Sequence, residues 1–487
     1  MKRAQALRQV LVVTGLAFCS LSDGFIFGQM SGMVDALSGK DKSIPLSKDE
    51  ISWIASTINI TCCFGFGLIT ILTEMFGRRK TITIITTPVL ICWLMVYFAQ
   101  DKYTLLASRV IVGASFGGVL ILTYVNIAEY VAPSIRSLCL NLMSACGSAT
   151  GTLLGHVLSL FLHWRHVALI GIIPTAISAI LPLFWVESPS WLATKGRFKE
   201  CETSFKKLRI SNEVADLELK MLINSQRVDN NATKNGNVFS SLLAKYVRAC
   251  KQKYYRRIAV LLLVICIYRV AAGRILFNTL IITMLRDITG TSDILLFTLL
   301  VDGCILVGAG ISCVFVSKLQ MRTLLFTSGP VANFVQITLA LCLYLWEDNS
   351  FYVRWIKVSL IALYSILISA GPYAVLETLL SELHPLDIKA SSTFVLGALA
   401  GVLQFLSIQL ATHLFSVIGY HGVFIFNACI VFICLLYLYF YLPETKGRTL
   451  QEIQFYFIDN SYGDKSKMMN SEQQNDLLSK EMIKVVT

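Results

Sequence analysis

The chain has 487 residues, of which 55% are hydrophobic and only 15% charged, with a formal net charge of +12. Soluble domains carry about 25% charged residues, so the composition excludes an ordinary soluble fold. It equally excludes a soluble basic domain of the kind that grips nucleic acid.

Taken in chain order, twelve apolar stretches reach the roughly 17–25 residues that cross a bilayer. They are residues 10–31, 51–73, 82–99, 104–128, 138–161, 167–186, 257–284, 293–316, 323–346, 355–380, 390–416 and 422–442. The first has no small-residue cleavage site after it and is followed by the others, so it reads as a retained helix rather than a signal peptide. With the N-terminus inside, the predicted cytoplasmic segments hold 31 of the 42 Lys and Arg and the outer segments 8. The remainder, Arg109, Arg269 and Arg274, fall inside spans. Positive charge marks the cytoplasmic side, so both termini are predicted to be cytoplasmic, and the net charge reflects this inward bias.

The predicted organisation is an N-terminal six-helix bundle over 1–186, a polar cytoplasmic linker over 187–256, a second six-helix bundle over 257–442 and a cytoplasmic tail over 443–487. Short amphipathic helices are expected near 197–226 and 238–255. Beyond about residue 455 the tail has the polar composition of a disordered segment. The 14 Cys form no disulfide framework, and the six His form no metal-ligand spacing. Nucleophile elbows and phosphate-cradling glycine loops are missing from the sequence. The expectation is therefore a lipid-embedded protein that is not an enzyme and uses no cofactor.

An acid–proline–base pattern occurs once in each half: Glu129-Tyr-Val-Ala-Pro133-Ser-Ile-Arg136 and Glu382-Leu-His-Pro385-Leu-Asp-Ile-Lys389. A second echo relates Glu187-Ser-Pro189 with Gly196-Arg197 to Pro443-Glu444-Thr-Lys446-Gly-Arg448. Duplicated halves with charged motifs at matching helix ends point to a carrier that rocks one half against the other.

These motifs, together with Glu74, Gly77-Arg78-Arg79-Lys80, Arg109-x3-Gly113 and Gly371-Pro372, resemble those of the sugar porters of the major facilitator superfamily. The likeness runs over about residues 10–455, and it is greatest to the insect-type facilitated trehalose and hexose transporters. It implies an all-α fold of twelve transmembrane helices in two pseudo-symmetric bundles. It also implies facilitated diffusion of a hexose or trehalose-like sugar by alternating access, in a monomer at the plasma membrane. The residues it marks for gating are Glu74, Gly77, Arg78, Arg79, Arg109, Glu129, Arg136, Glu187, Glu382, Lys389, Glu444 and Arg448. Charges at predicted cytoplasmic helix ends, as most of these are, can pair across helices while the inner gate is shut.

The chain departs from the family pattern where sugar is recognised. The family's helix-7 signature Gln-Gln-x-Ser-Gly-x-Asn aligns with Arg269-Val-Ala-Ala-Gly273-Arg274-Ile275, so the amides are gone. Candidate substrate contacts are then Asp23, Arg269, Asn278 and Gln404. At about 1.5 Å per residue, Arg269 and Asp23 lie roughly 18 and 20 Å deep, which suggests a pair across the path; Arg274 falls near the depth of Asp302. Two other readings stay open: a small organic anion carried by way of Arg269 and Arg274, and a non-transporting sensor with the same fold.

Overall fold

The computed structural model describes residues 2–39, 41, 43–131, 139, 142–208, 219–220, 223, 252–346, 350–384, 389–446, 453 and 456–457. Arg136 and Arg448, the second expected linker helix and most of the tail lie outside the described residues, as does the Lys389 side chain.

The first bundle consists of α1 (Lys2–Gly39), α2 (Lys48–Phe98), α3 (Lys102–Tyr130), α4 (Ser148–Phe161, entered through a π-turn at Leu142–Gly147) and α5 (Trp164–Ile180). Two short helices follow, α6 (Pro189–Thr194) and α7 (Phe198–Leu208). The second bundle holds α8 (Lys253–Ala271), α9 (Arg274–Thr289), α10 (Leu295–Lys318), α11 (Met321–Leu345), α12 (Phe351–Ala370), α13 (Pro372–Glu382), α14 (Lys389–Val417) and α15 (Gly419–Tyr441).

These elements make twelve crossings. The 51 residues of α2 would extend about 76 Å as one rod, far beyond a bilayer core of about 30 Å. They are two crossings joined at Gly77, which has φ +82°. Conversely, α8 with α9, and α12 with α13, are each one crossing broken in the middle. Large apolar side chains such as Phe64, Ile91, Phe334 and Phe432 stay exposed along the outside. A surface of that kind is stable against hydrocarbon and not against water.

Two packing features follow from particular residues. Along α1, Gly24 and Gly28 let the helix meet the α4 backbone: a Cβ there would fall 2.0 Å from the Ser148 carbonyl oxygen and 2.5 Å from that of Thr152. At Gly77 a Cβ would come within 2.6 Å of the Glu187 carboxylate, on a backbone that side chains rarely adopt. Gly77→Ala is therefore expected to cost about 1–3 kcal/mol. A lowered thermal-unfolding midpoint in detergent would report it.

The end of the molecule holding Gly77, Tyr130, α6 and α7 is the linker face; the opposite end, with the turns after α1, α4 and α9, is the loop face. On the loop face the two halves are tied together by polar contacts. Arg286 pairs with Asp35, and His413 Nε2 lies 3.2 Å from Asp49 Oδ1. Ser52 and Ser56 donate to Gln409 Oε1 at 3.1 and 2.9 Å. A polar recess of about 530 Å³, lined in part by Gly32, Asp35, His163, Arg286 and Asp293, adjoins the Arg286–Asp35 pair. The loop-face side is shut in this conformation.

Candidate functional site

The linker-face motifs assemble one cluster in each half. In the first, Arg78 grips Glu129 with two nitrogens: Nη2 to Oε1 at 2.9 Å and Nε to Oε2 at 3.1 Å. Ser188 Oγ donates to the same carboxylate at 2.5 Å. Glu187 Oε1 accepts the backbone N–H groups of Arg78, Arg79 and Ser188 at 2.8, 3.3 and 3.0 Å. It thus caps the helix segment that begins after Gly77, where unpaired N–H groups and the helix dipole favour an anion.

Glu444 does the same in the second half, accepting the N–H groups of Met321 and Arg322, both at 3.0 Å, at the start of α11. The likeness extends to the side chains. Arg79 donates to the Trp185 carbonyl and Arg322 to that of Tyr439, both at 2.9 Å. What the second half lacks is an arginine at the Arg78 position, where Met321 stands. Glu382 is the last residue of α13.

Two of the residues marked for gating stand apart from these clusters. Glu74 is exposed and joins no ion pair among the described residues. Arg109, expected with the linker-face charges, lies seven residues inside the loop-face end of α3. It is only 1% exposed, and its Nη2 donates to Gln29 Oε1 at 3.3 Å and touches Met33 Sδ at 3.5 Å. The depth follows from chain direction: α3 runs from the loop face to the linker face, so a residue early in it belongs to the outer half.

The polar centre of the molecule lies where two helices of the second half break. Gly273, at φ +74°, separates α8 from α9. Gly371 and Pro372 separate α12 from α13, the proline bringing no N–H to continue the ladder. Tyr364 Oη donates to the Ala272 carbonyl at 2.8 Å, satisfying an acceptor that the first break frees. Irregular backbone at this depth persists only where protein or a polar cavity surrounds it.

Around these breaks Arg269 Nη2 forms an ion pair with Glu377 Oε1 at 2.7 Å. The same nitrogen donates to Tyr373 Oη at 3.2 Å. The Arg274 guanidinium stacks 4.1 Å from the Tyr373 ring centroid, and that of Arg269 lies 5.6 Å away. From the other half, Tyr124 Oη donates to Glu377 Oε2 at 3.5 Å. Arg269 and Glu377 keep 16% and 18% of their side chains exposed, and Tyr124 of the opposite half reaches Glu377. Arg269 Nε has no partner among the described residues.

The expected pairings are therefore corrected. Arg269 pairs with Glu377 and not with Asp23, which is half-buried on α1 and makes no hydrogen bond among the described residues. Arg274 stacks on Tyr373, while Asp302 is taken by His156 at 2.8 Å. Asn278 and Gln404 are buried, and Asn278 offers its backbone carbonyl to His156. Sequence reasoning passed over Tyr124, Tyr373 and Glu377. The available signal was Glu377 itself, a carboxylate inside the predicted span 355–380 and five residues beyond the Gly371-Pro372 break.

A family model described as "Sugar (and other) transporter" matches residues 10–457. The chain belongs to this family. Its relatives include the facilitated trehalose transporter Tret1 of Polypedilum vanderplanki, 24% identical over 455 residues, spanning 92% of this chain and 87% of that protein. The Tret1 of Bombyx mori is 24% identical over 451 residues, covering 92% and 86%. Among solved structures, the proton:xylose symporter XylE bound to 6-bromo-6-deoxy-D-glucose aligns with a TM-score of 0.73 at 17% identity, covering 93% of this chain and 100% of that one. The inward-open XylE from E. coli aligns at 0.70 and 17%, covering 92% and 99%. At such identity these likenesses concern the fold: twelve helices in two bundles, the major facilitator architecture expected from the sequence. The protein is an integral membrane transporter of this family and not an enzyme.

Proposed function

We propose that the chain is a facilitated carrier for a hexose or a trehalose-like disaccharide, alternating between its two faces. Substrate meets it at the Arg269–Glu377–Tyr373–Tyr124 constellation. The observation that carries this reading is the placement of that constellation, at two helix breaks and between the halves. Sugars are held by donors and acceptors in planar groups and by aromatic faces. Arg269, Glu377 and the two tyrosines supply these in place of the lost helix-7 amides. Glu187 and Glu444 brace the linker-face ends of their bundles, and Arg78–Glu129 locks the first. The reading keeps the divisions at residues 186, 256 and 442, a monomer at the plasma membrane, and both termini in the cytoplasm.

Two guanidinium groups, of Arg269 and Arg274, lie over the one Tyr373 ring, which favours a small organic anion as the second reading. Uptake of labelled glucose, trehalose and a panel of carboxylates into proteoliposomes separates the two. Saturable sugar uptake is expected; carboxylate uptake without sugar uptake would transfer the assignment to anions, and no saturable uptake of either class would refute both.

A further inference from the structure

His156 is fully buried on α4, in the first half, and both of its ring nitrogens face oxygen atoms of the second half. Nδ1 lies 2.8 Å from Asp302 Oδ2 on α10, and Nε2 lies 3.0 Å from the Asn278 carbonyl oxygen on α9. A carbonyl oxygen only accepts, so Nε2 carries a hydrogen. A proton must also lie between Nδ1 and the carboxyl group. Either the imidazole is doubly protonated against a carboxylate, or a neutral imidazole accepts from a carboxylic acid. Both descriptions contain the same number of protons. The remaining form, neutral imidazole beside ionised carboxylate, would set a ring lone pair inside the protein against the carboxylate or, in the other tautomer, against the Asn278 carbonyl oxygen. Yet that is the form the separated side chains adopt in water above about pH 6.5.

Other titratable groups on the packed elements do not reach the ring. Among described side chains, on α1 these are Arg8, Cys19, Asp23 and Asp35, the last paired with Arg286. On α9 they are Arg274, stacked on Tyr373, with Arg286 and Asp287, the last receiving a hydrogen bond from Tyr420. On α10 they are Asp302, Cys304, Cys313 and Lys318, on the π-turn Cys146, and on α5 Arg165 and His166, and only Asp302 touches the imidazole.

We propose that His156 and Asp302 form a proton-binding site between the halves, filled when they meet and emptied when they part. The inference rests on alternating access, and not on which solute is carried. Its sign is fixed by the proton count: the conformation described here holds one proton that the parted side chains lack, so acid favours it. Below about pH 6.5 the parted histidine is protonated too, and the linkage vanishes. Above that, the balance between closed and parted states shifts by up to about tenfold per pH unit, the limit for one proton, until the closed pair itself gives up the proton.

Hydrogen exchange read by mass spectrometry, on the full chain in lipid nanodiscs without solute, tests this from about pH 5.5 to about pH 9, spanning the ordinary histidine value. After correction for intrinsic exchange, peptides from α4, α9 and α10 are expected to lose protection as pH rises. In Asp302→Asn the amide N–H donates to a neutral Nδ1, so above about pH 6.5 protection should persist without a slope. In His156→Phe it should be low throughout. A flat wild-type profile overturns the proposal, as does an Asp302→Asn protein that keeps the wild-type slope. If a variant does not insert, the wild-type slope still decides. Because no sugar is present, failure here is distinct from failure of the uptake experiment.

Discussion

Arg269→Gln is expected to abolish transport while leaving the protein in the membrane. Removing one partner of this partly exposed pair leaves the other charge without compensation, a stability cost below the roughly 3–5 kcal/mol of a fully buried pair, and takes the Arg269 donors out of the proposed path. Glu377→Gln should do the same, with Arg269 now the uncompensated charge. The informative protein is the double variant Arg269→Gln with Glu377→Gln. It removes both charges together, so its stability and surface expression should return towards the wild type. Its uptake should not, because the proposed site loses both its donor and its acceptor. Recovery of uptake in the double variant would reduce the pair to a structural brace. An Arg269→Gln protein transporting at the wild-type rate would remove it from the path.

The crossings were legible because a bilayer demands a fixed length of apolar helix, and that demand writes itself into composition. The linker-face clusters were legible for a related reason: Glu187 and Glu444 each follow a span end by a few residues, and their partners are backbone N–H groups at a neighbouring helix start. Such contacts need only the right end of the right helix. The central pairings were not legible, because depth alone does not select a partner. Asp23 and Arg269 lie at similar counts along their helices, but pairing also depends on which way each helix is turned about its axis. That rotation is fixed by packing, such as the Gly24 and Gly28 contact that presses α1 onto α4. The breaks at Gly273 and Gly371 shift the register again and carry Glu377 to Arg269, which a count along unbroken helices cannot anticipate.

The two capping glutamates give the second large effect, and they test whether the halves are built alike. Glu187→Ala withdraws the acceptor from three backbone N–H groups and from the positive end of the helix after Gly77. Glu444→Ala withdraws it from those of Met321, Arg322 and Lys446. A lost cap costs about 0.5–2 kcal/mol, and buried donors left unmatched raise that to about 1–3 kcal/mol. Glutamine at either position keeps one acceptor oxygen but surrenders the charge, so it should fall between alanine and wild type, with about 0.3–1 kcal/mol assigned to the dipole. Thermal unfolding in detergent is expected to rank the proteins in that order at both positions. The clusters belong to different halves and these hydrogen bonds go to different backbone groups among the described residues, so the double alanine variant should lose about the sum of the single effects. A double variant no worse than Glu187→Ala alone would mean that one half unfolds first and hides the other. A markedly larger loss would mean that the two caps act on a common element, which their separate hydrogen-bond partners do not provide.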